Sequence, residues 1–273
     1  MKIPFTKMHG IGNDFVVIDG TKQKYNFNKN NIKNISDRHF GIGCDQVLLI
    51  ESAKENDVDF FISIFNADGT LAEQCGNGIR CITKFVFDNN LTSKKNLSLA
   101  TFARKIQTKL ENDGNITVNI GVPILEPNLI PFKATQKQLQ YKLLNTEIGA
   151  ISIGNPHAVI LVDDITNAPI HTLGKMIAAH PDFPNGVNVN FMQIDNRNSV
   201  KLRVYERGAG ETLACGSGAC ASVAIGRLWN LLDANVQVAL PGGVLKVSWQ
   251  NFTAPIFLTG PAVTIFTGEL KIS

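Results

Sequence analysis

Cys75-Gly76-Asn77-Gly78-Ile79-Arg80-Cys81 and Cys215-Gly216-Ser217-Gly218-Ala219-Cys220 are two versions of one pattern. Each has a cysteine, a glycine, a small polar residue and a second glycine, and then a run of small and apolar residues. After the first, Ile79, Ile82 and Phe85/Val86 recur at helical spacing; after the second, Ala221, Ile225, Leu228 and Leu232 do the same. The second run is small or apolar around much of its circumference, which predicts a helix buried inside its sheet. Each cysteine is therefore expected at the amino terminus of a buried helix.

Working outward, the sequences before the cysteines also repeat. Gly12-Asn13-Asp14-Phe15-Val16-Val17-Ile18-Asp19 has a counterpart in Gly154-Asn155-Pro156-His157-Ala158-Val159-Ile160. Ile64-Phe65-Asn66-Ala67-Asp68-Gly69, leading into Glu73-Gln74-Cys75, has one in Val204-Tyr205-Glu206-Arg207-Gly208-Ala209-Gly210, leading into Cys215. The offsets agree: 142 residues from Asn13 to Asn155, and 140 from Cys75 to Cys215. Two motifs in the same order at nearly the same spacing point to a duplicated unit. Residues 59–65, 96–102, 115–120, 236–240, 245–249 and 262–270 are short, apolar or alternating, and bounded by turn residues, which predicts strands. Between the halves, residues 121–131 carry three prolines, at 123, 127 and 131, and are expected to form an extended connector. Each half is thus mainly β with one buried helix.

The bulk composition narrows the function. The chain has 273 residues, 18% of them charged, with a net charge of +3. So mild a balance gives no argument for a nucleic-acid or anionic membrane partner. No apolar run is long enough for a spanning helix, and the amino terminus enters a strand-like alternation with no basic-then-apolar leader. Five cysteines in such a chain are expected as reduced thiols in the cytoplasm.

The cysteine pattern carries chemistry. Unpaired N–H groups and the dipole at a helix amino terminus favour a thiolate and also make a carboxylate site. The glycines that follow let a ligand approach the backbone. Inverting a carbon centre needs one group to remove a proton from one face and another to deliver one to the opposite face. Two equivalent thiols across an interdomain cleft, one thiolate and one thiol, meet that need with no cofactor and no metal. A zinc site from Cys75, Cys81, Cys215 and Cys220 would need spacings unlike the usual tight knuckle. Cys44, Cys81 and Cys220 are expected as buried packing residues. Neither a complete dinucleotide fingerprint nor a phosphate loop is present.

Taken with Met8-His9-Gly10-Ile11-Gly12-Asn13-Asp14-Phe15, Phe65-Asn66-Ala67-Asp68-Gly69, Gly154-Asn155-Pro156-His157 and Tyr205-Glu206-Arg207-Gly208-Ala209-Gly210-Glu211-Thr212, the cysteine motifs resemble diaminopimelate epimerase along essentially the whole chain. The resemblance implies an α/β (α+β) fold of two pseudo-symmetric domains, each a β-barrel-like mixed sheet around a central helix, with the active site in the cleft between them. It places the amino-terminal half at 1–120 with 262–273, the last strand returning to it, and the other half at 121–261. It implies interconversion of LL- and meso-diaminopimelate in lysine and cell-wall precursor synthesis, by a homodimer that uses no pyridoxal phosphate.

The resemblance also assigns residues. Cys75 and Cys215 are the catalytic pair. Asn13 and Gln46 match positions near the reacting amino group. Asn66, Asn155, Asn188 and Arg207 match positions that hold the unreactive end. Carboxamides offer both a donor and an acceptor, and an arginine grips a carboxylate with two N–H groups. Gly76-Asn77 and Gly216-Ser217 supply backbone N–H groups to the reacting carboxylate. His157 and Glu206 match positions that support the thiols or orient the substrate amines. The remaining histidines, His9, His39, His171 and His180, are expected to be structural or exposed. Two other readings stay open: a sister two-cysteine racemase acting on proline or hydroxyproline, and a non-enzymatic thiol redox or metal-binding protein.

Overall fold

The long apolar runs explain why so much of the chain is sheet with both faces covered. In Phe15-Val16-Val17-Ile18 and Val47-Leu48-Leu49-Ile50 every residue is buried, so no face of these strands meets water. A computed structural model of the chain describes residues 2–53, 55–72 and 75–271. Glu73 and Gln74, quoted above with the first cysteine motif, lie outside the described residues, as do residues 272 and 273 at the end of the segment 262–273 expected to belong to the amino-terminal half.

The chain divides into two compact units, residues 1–118 with 260–273 and residues 119–259. The first contains β1 (Lys2–Gly10), β2 (Asn13–Asp19), α1 (Lys29–Ser36), β3 (Gln46–Ser52), β4 (Phe60–Asn66), α2 (Gly76–Asp88), β5 (Asn96–Ala100), β6 (Lys105–Leu110) and the first half of β7 (Ile116–Gly121). The second contains β8 (Tyr141–Leu143), β9 (Thr146–Ser152), β10 (Pro156–Leu161), α3 (Lys175–Ala178), β11 (Asn188–Asn196), β12 (Ser199–Glu206), β13 (Gly210–Thr212), α4 (Gly216–Leu228), β14 (Asn235–Leu240), β15 (Gly243–Ser248) and β16 (Ile256–Gly260). The final strand, β17 (Val263–Lys271), returns to the first unit and pairs antiparallel with β1, from Lys2↔Lys271 to His9↔Val263.

The duplication read from the sequence is explicit in the pairing. In the first unit, β1–β2 is antiparallel, β2–β3 parallel, β3–β4 antiparallel, β4–β5 parallel, and β5–β6 and β6–β7 antiparallel. In the second, β9–β10, β10–β11, β11–β12, β12–β14, β14–β15 and β15–β16 follow the same sequence of senses. In each unit one buried 13-residue helix connects the fourth strand of this series to the fifth. α2 packs against β1, β2, β3 and β6, and α4 against β9, β10, β11 and β15, so strands from well-separated places in each sheet meet one central helix.

Strand alternation sorts the residues onto two sides. In the first unit Val16, Ile18, Val47 and Leu49 pack outward with Ile32 and Ile35 of α1. Phe15 and Leu48 lie on the other face, against Gly78 of α2. In the second unit Ala158, Ile160, Val189 and Phe191 join an outer cluster that includes Ile170 and Ile177. Their alternates His157 and Asn190 therefore belong to the face that meets α4.

Two expectations change. Leu232 was expected on the second helix, but α4 ends at Leu228. The chain then turns through Asn230, whose φ is 60°, and Leu232 folds back so that a Cβ on Gly226 would lie 2.4 Å from it. The proline-rich connector is only partly extended: Ile124 bridges Ser152, and Pro127–Leu129 forms a 3₁₀ turn, which proline tolerates because its first position needs no N–H.

Candidate active site

Each motif cysteine caps its helix. Cys75 is the N-cap of α2 with extended backbone (φ −150°, ψ 103°), and its sulfur accepts the Gly78 N–H at 3.4 Å. Cys215 is the N-cap of α4 (φ −126°, ψ 101°). The glycines after them have a role the sequence reading did not assign. A Cβ on Gly78 would lie 3.3 Å from both Phe15 and Leu48. One on Gly218 would lie 2.4 Å from Asn190 Oδ1 and 3.2 Å from Cys215 Sγ. These second glycines let each helix end seat against its sheet.

In the first unit a carboxamide cluster surrounds Cys75. Asn13 opens β2 just after the turn that joins it to β1, where Ile11 and Gly12 both have positive φ. Asn13 Oδ1 lies 3.6 Å from Cys75 Sγ and accepts from Asn77 Nδ2 at 3.2 Å. Asn13 Nδ2 donates to Asp45 at 2.7 Å. Asp45 is held in turn by Arg38 at 2.7 Å, and Arg38 also grips Asp14 through both terminal nitrogens. Burial tends to raise the Asp14 carboxyl, but hydrogen bonds and charge from Arg38 and Lys7 hold it well below the usual range. Gln46 and Asn66 sit opposite each other in the β3–β4 register, and Gln46 Nε2 donates to Asn66 Oδ1 at 2.9 Å. Asn66 Nδ2 then donates to Thr70. The structure thus joins Asn13, Asn77 and Cys75 in one network and places Gln46 and Asn66 in another.

In the second unit Asn155, Ser217 and Cys215 stand in the corresponding places. Asn155 Nδ2 donates to Ser217 Oγ at 3.4 Å, and that hydroxyl lies 3.6 Å from Cys215 Sγ. Behind Asn155 is His157, whose Nε2 is 3.0 Å from Asn155 Oδ1. Burial pushes the His157 imidazole down to about 3, so it is neutral at physiological pH. Asn188, buried, accepts the Arg207 backbone N–H at 2.9 Å. Arg207 is exposed and donates from Nη1 to the Asn185 carbonyl. Glu206 accepts the Thr212 hydroxyl and lies close enough to Cys215 to act on it.

The helix amino terminus was expected to favour a thiolate at both cysteines. At Cys215 burial dominates and pushes the thiol well above its ordinary value, and the Glu206 charge adds to the rise. The Ser217 hydroxyl and the Gly218 amide pull in the other direction but do not prevail. Cys215 therefore rests as the thiol. Cys44, Cys81 and Cys220 are buried, as the packing reading expects, and burial, against the nearby Arg80 charge, carries Cys81 up to about 12.

The model of a known protein family, described as diaminopimelate epimerase, matches residues 5–126 and 149–265. The chain belongs to the diaminopimelate epimerase family. Solved structures at low identity share the family's fold. A phenazine biosynthesis protein of the PhzF family from Bacillus anthracis aligns with a TM-score of 0.75 at 14% identity, covering 100% of both chains. A hydroxyproline epimerase from Agrobacterium vitis, solved with trans-4-hydroxy-L-proline, aligns with a TM-score of 0.70 at 16% identity over 98% of this chain and 92% of its own. A probable proline racemase from Agrobacterium radiobacter aligns with a TM-score of 0.70 at 17% identity over 99% and 93%. Family membership makes the chain an isomerase of the epimerase type with a two-domain, predominantly sheet architecture. Among the described residues no helix is long and apolar enough to cross a membrane.

Several residues of these networks were not reached from the sequence. Asp45 and Asn190 carry no motif of their own. The signal for Asn190 was its parity: it lies two residues past Asn188 in an apolar strand, a polar residue where the alternation calls for burial.

Proposed function

We propose that the chain inverts one α-carbon of LL-2,6-diaminopimelate to give the meso isomer, in the cytoplasm, on the way to lysine and peptidoglycan precursors. The observation that carries the reading is the repetition of one arrangement: in each unit a cysteine caps a buried helix, with a motif asparagine linked by hydrogen bonds to the residue two past that cysteine. One thiolate removes the α-proton from one face, and the other thiol delivers a proton to the opposite face. Reversal of the reaction exchanges the roles. The N–H groups in the first turn of each helix suit the carboxylate, whose negative charge grows as the carbanion forms. Because burial holds Cys215 protonated, it is assigned as the acid for whichever isomer meets Cys75 first as base. Gln46, Asn66, Asn155, Asn188, Glu206 and Arg207 supply more polar groups than a short amino acid needs, which favours a long substrate with a second zwitterionic end.

A proline or hydroxyproline racemase with the same two thiols is the alternative, since solved proteins bearing those names share the fold. A homodimer is proposed too. β17 leaves Val263, Ile265 and Phe266 exposed, an apolar edge that a second copy would cover.

The deciding experiment is proton NMR in D2O with reduced protein and, separately, LL-diaminopimelate, L-proline and L-glutamate. Loss of one α-proton signal of diaminopimelate with appearance of the meso isomer is expected. Exchange of proline instead would keep the two-thiol mechanism and overturn the substrate. No exchange with any of them would remove the epimerase reading.

A further inference from the structure

The hydrogen-bond chain that ends at Cys215 starts at Asn190. This residue is fully buried on the α4 face of β11, and its Nδ2 reaches the carbonyls of Ala158 at 3.0 Å and Asn188 at 3.3 Å. Carbonyls only accept, so the amide nitrogen must lie on that side. The same nitrogen is 3.1 Å from His157 Nδ1, so its two hydrogens serve three acceptors, the longest contact, to Asn188, sharing one of them. A donor at Nδ1 requires Nδ1 to accept, and a neutral imidazole then carries its one proton on Nε2. Nε2 lies 3.0 Å from Asn155 Oδ1, so it donates there. Asn155 must turn its Nδ2 the other way, and Nδ2 meets Ser217 Oγ at 3.4 Å. With its oxygen accepting from Asn155, Ser217 has its hydroxyl hydrogen to give to Cys215 Sγ at 3.6 Å.

We propose that Asn190 is a positioning residue that fixes the tautomer of His157, and thereby directs the chain His157–Asn155–Ser217 to end as a donor at the Cys215 sulfur. A donor at sulfur favours the thiolate, against the burial of Cys215 and the charge of Glu206 from β12. The first unit shows the contrary setting. There Asn13 gives its Nδ2 to the Asp45 carboxylate and turns its oxygen toward Cys75 and Asn77. The two counterpart asparagines are oriented oppositely because one is backed by an acceptor and the other by a donor. The inference rests on the proposed function only in treating Cys215 as a reacting thiol.

The test is a long-range ¹H–¹⁵N spectrum of protein labelled with ¹⁵N-histidine, in which His157 is assigned by the signal lost in His157→Gln. Wild-type protein is expected to show a neutral His157 with its proton on Nε2. Asn190→Asp replaces the donor with an acceptor of the same size, and is expected to draw a proton to Nδ1. It should also lower kcat/KM by roughly tenfold, the worth of about one hydrogen bond, and move the basic limb of the pH profile upward. Asn190→Leu keeps the shape with neither donor nor acceptor, and a mixture of tautomers is expected. A wild-type proton on Nδ1 would overturn the proposal, as would retention of a pure Nε2–H tautomer in either variant. The spectra need no substrate. Absence of α-proton exchange would therefore count against the proposed function alone, and an unexpected tautomer against this inference alone.

Discussion

At the scale of single residues, the chemistry turns on how differently two cysteines of one motif are housed. Cys75 is partly exposed and touches Asn13 and Gly78, whereas Cys215 is 3% exposed and sits beside Glu206. Cys75→Ala and Cys215→Ala are each expected to lower epimerisation by about 10³-fold or more with circular dichroism unchanged, since general acid or base catalysis contributes on that order. Turnover near wild type in either variant would remove the two-base mechanism. The thiolate is the form that alkylates, and its share grows only as pH approaches the thiol's own value. In the Cys75→Ala protein, iodoacetamide labelling of Cys215 is therefore expected to stay slow through pH 9.0, the ordinary thiol value, and to rise only above it. Peptide mass spectrometry reads this out. Rapid labelling at neutral pH would mean that the helix terminus outweighs burial.

At the scale of elements, each cysteine motif serves as both cap and packing surface. Gly218→Ala would drive a methyl group into Asn190 and the Cys215 sulfur, so a loss of about 1–3 kcal/mol is expected in denaturant unfolding, together with lower activity. An unchanged midpoint would show that the helix end can shift at little cost. The hairpin between β8 and β9 offers the opposite case. Its two loop residues, Leu144 and Asn145, both have positive φ (48° and 60°), the geometry of a type I′ turn, which disfavours leucine. Leu144 is 40% exposed, so Leu144→Asn gives up little burial and is expected to raise stability by roughly 0.5–1 kcal/mol, seen as a higher melting temperature. Helices and strands were legible because their periodicities are local. The end of α4 was not. Leu232 has the spacing of a helical residue, but its burial comes from folding back on Gly226.

At the scale of the whole molecule, the repeat is the organising fact. The same series of parallel and antiparallel pairings occurs in both units, and β17 comes back to β1 after the second unit is complete. That return leaves Val263, Ile265 and Phe266 of β17 exposed. If a second copy covers them, Ile265→Lys is expected to shift the protein from dimer to monomer in sedimentation velocity, with the far-UV spectrum retained. A dimer that persists would place the interface elsewhere.

Sequence alone determined the duplication, the central helices, the positions of the two motif cysteines at their starts and the family, because each is written in residues close together or repeated at a constant offset. Tertiary structure decided the state of those residues. Asn13 and Cys75 are 62 residues apart, as are Asn155 and Ser217, and Asn190 meets His157 across 33. The orientation of an amide, the tautomer of an imidazole and the protonation of a thiol depend on which donors, acceptors and apolar walls surround the group. Those neighbours come from different strands, and only the folded sheet brings them within hydrogen-bond distance.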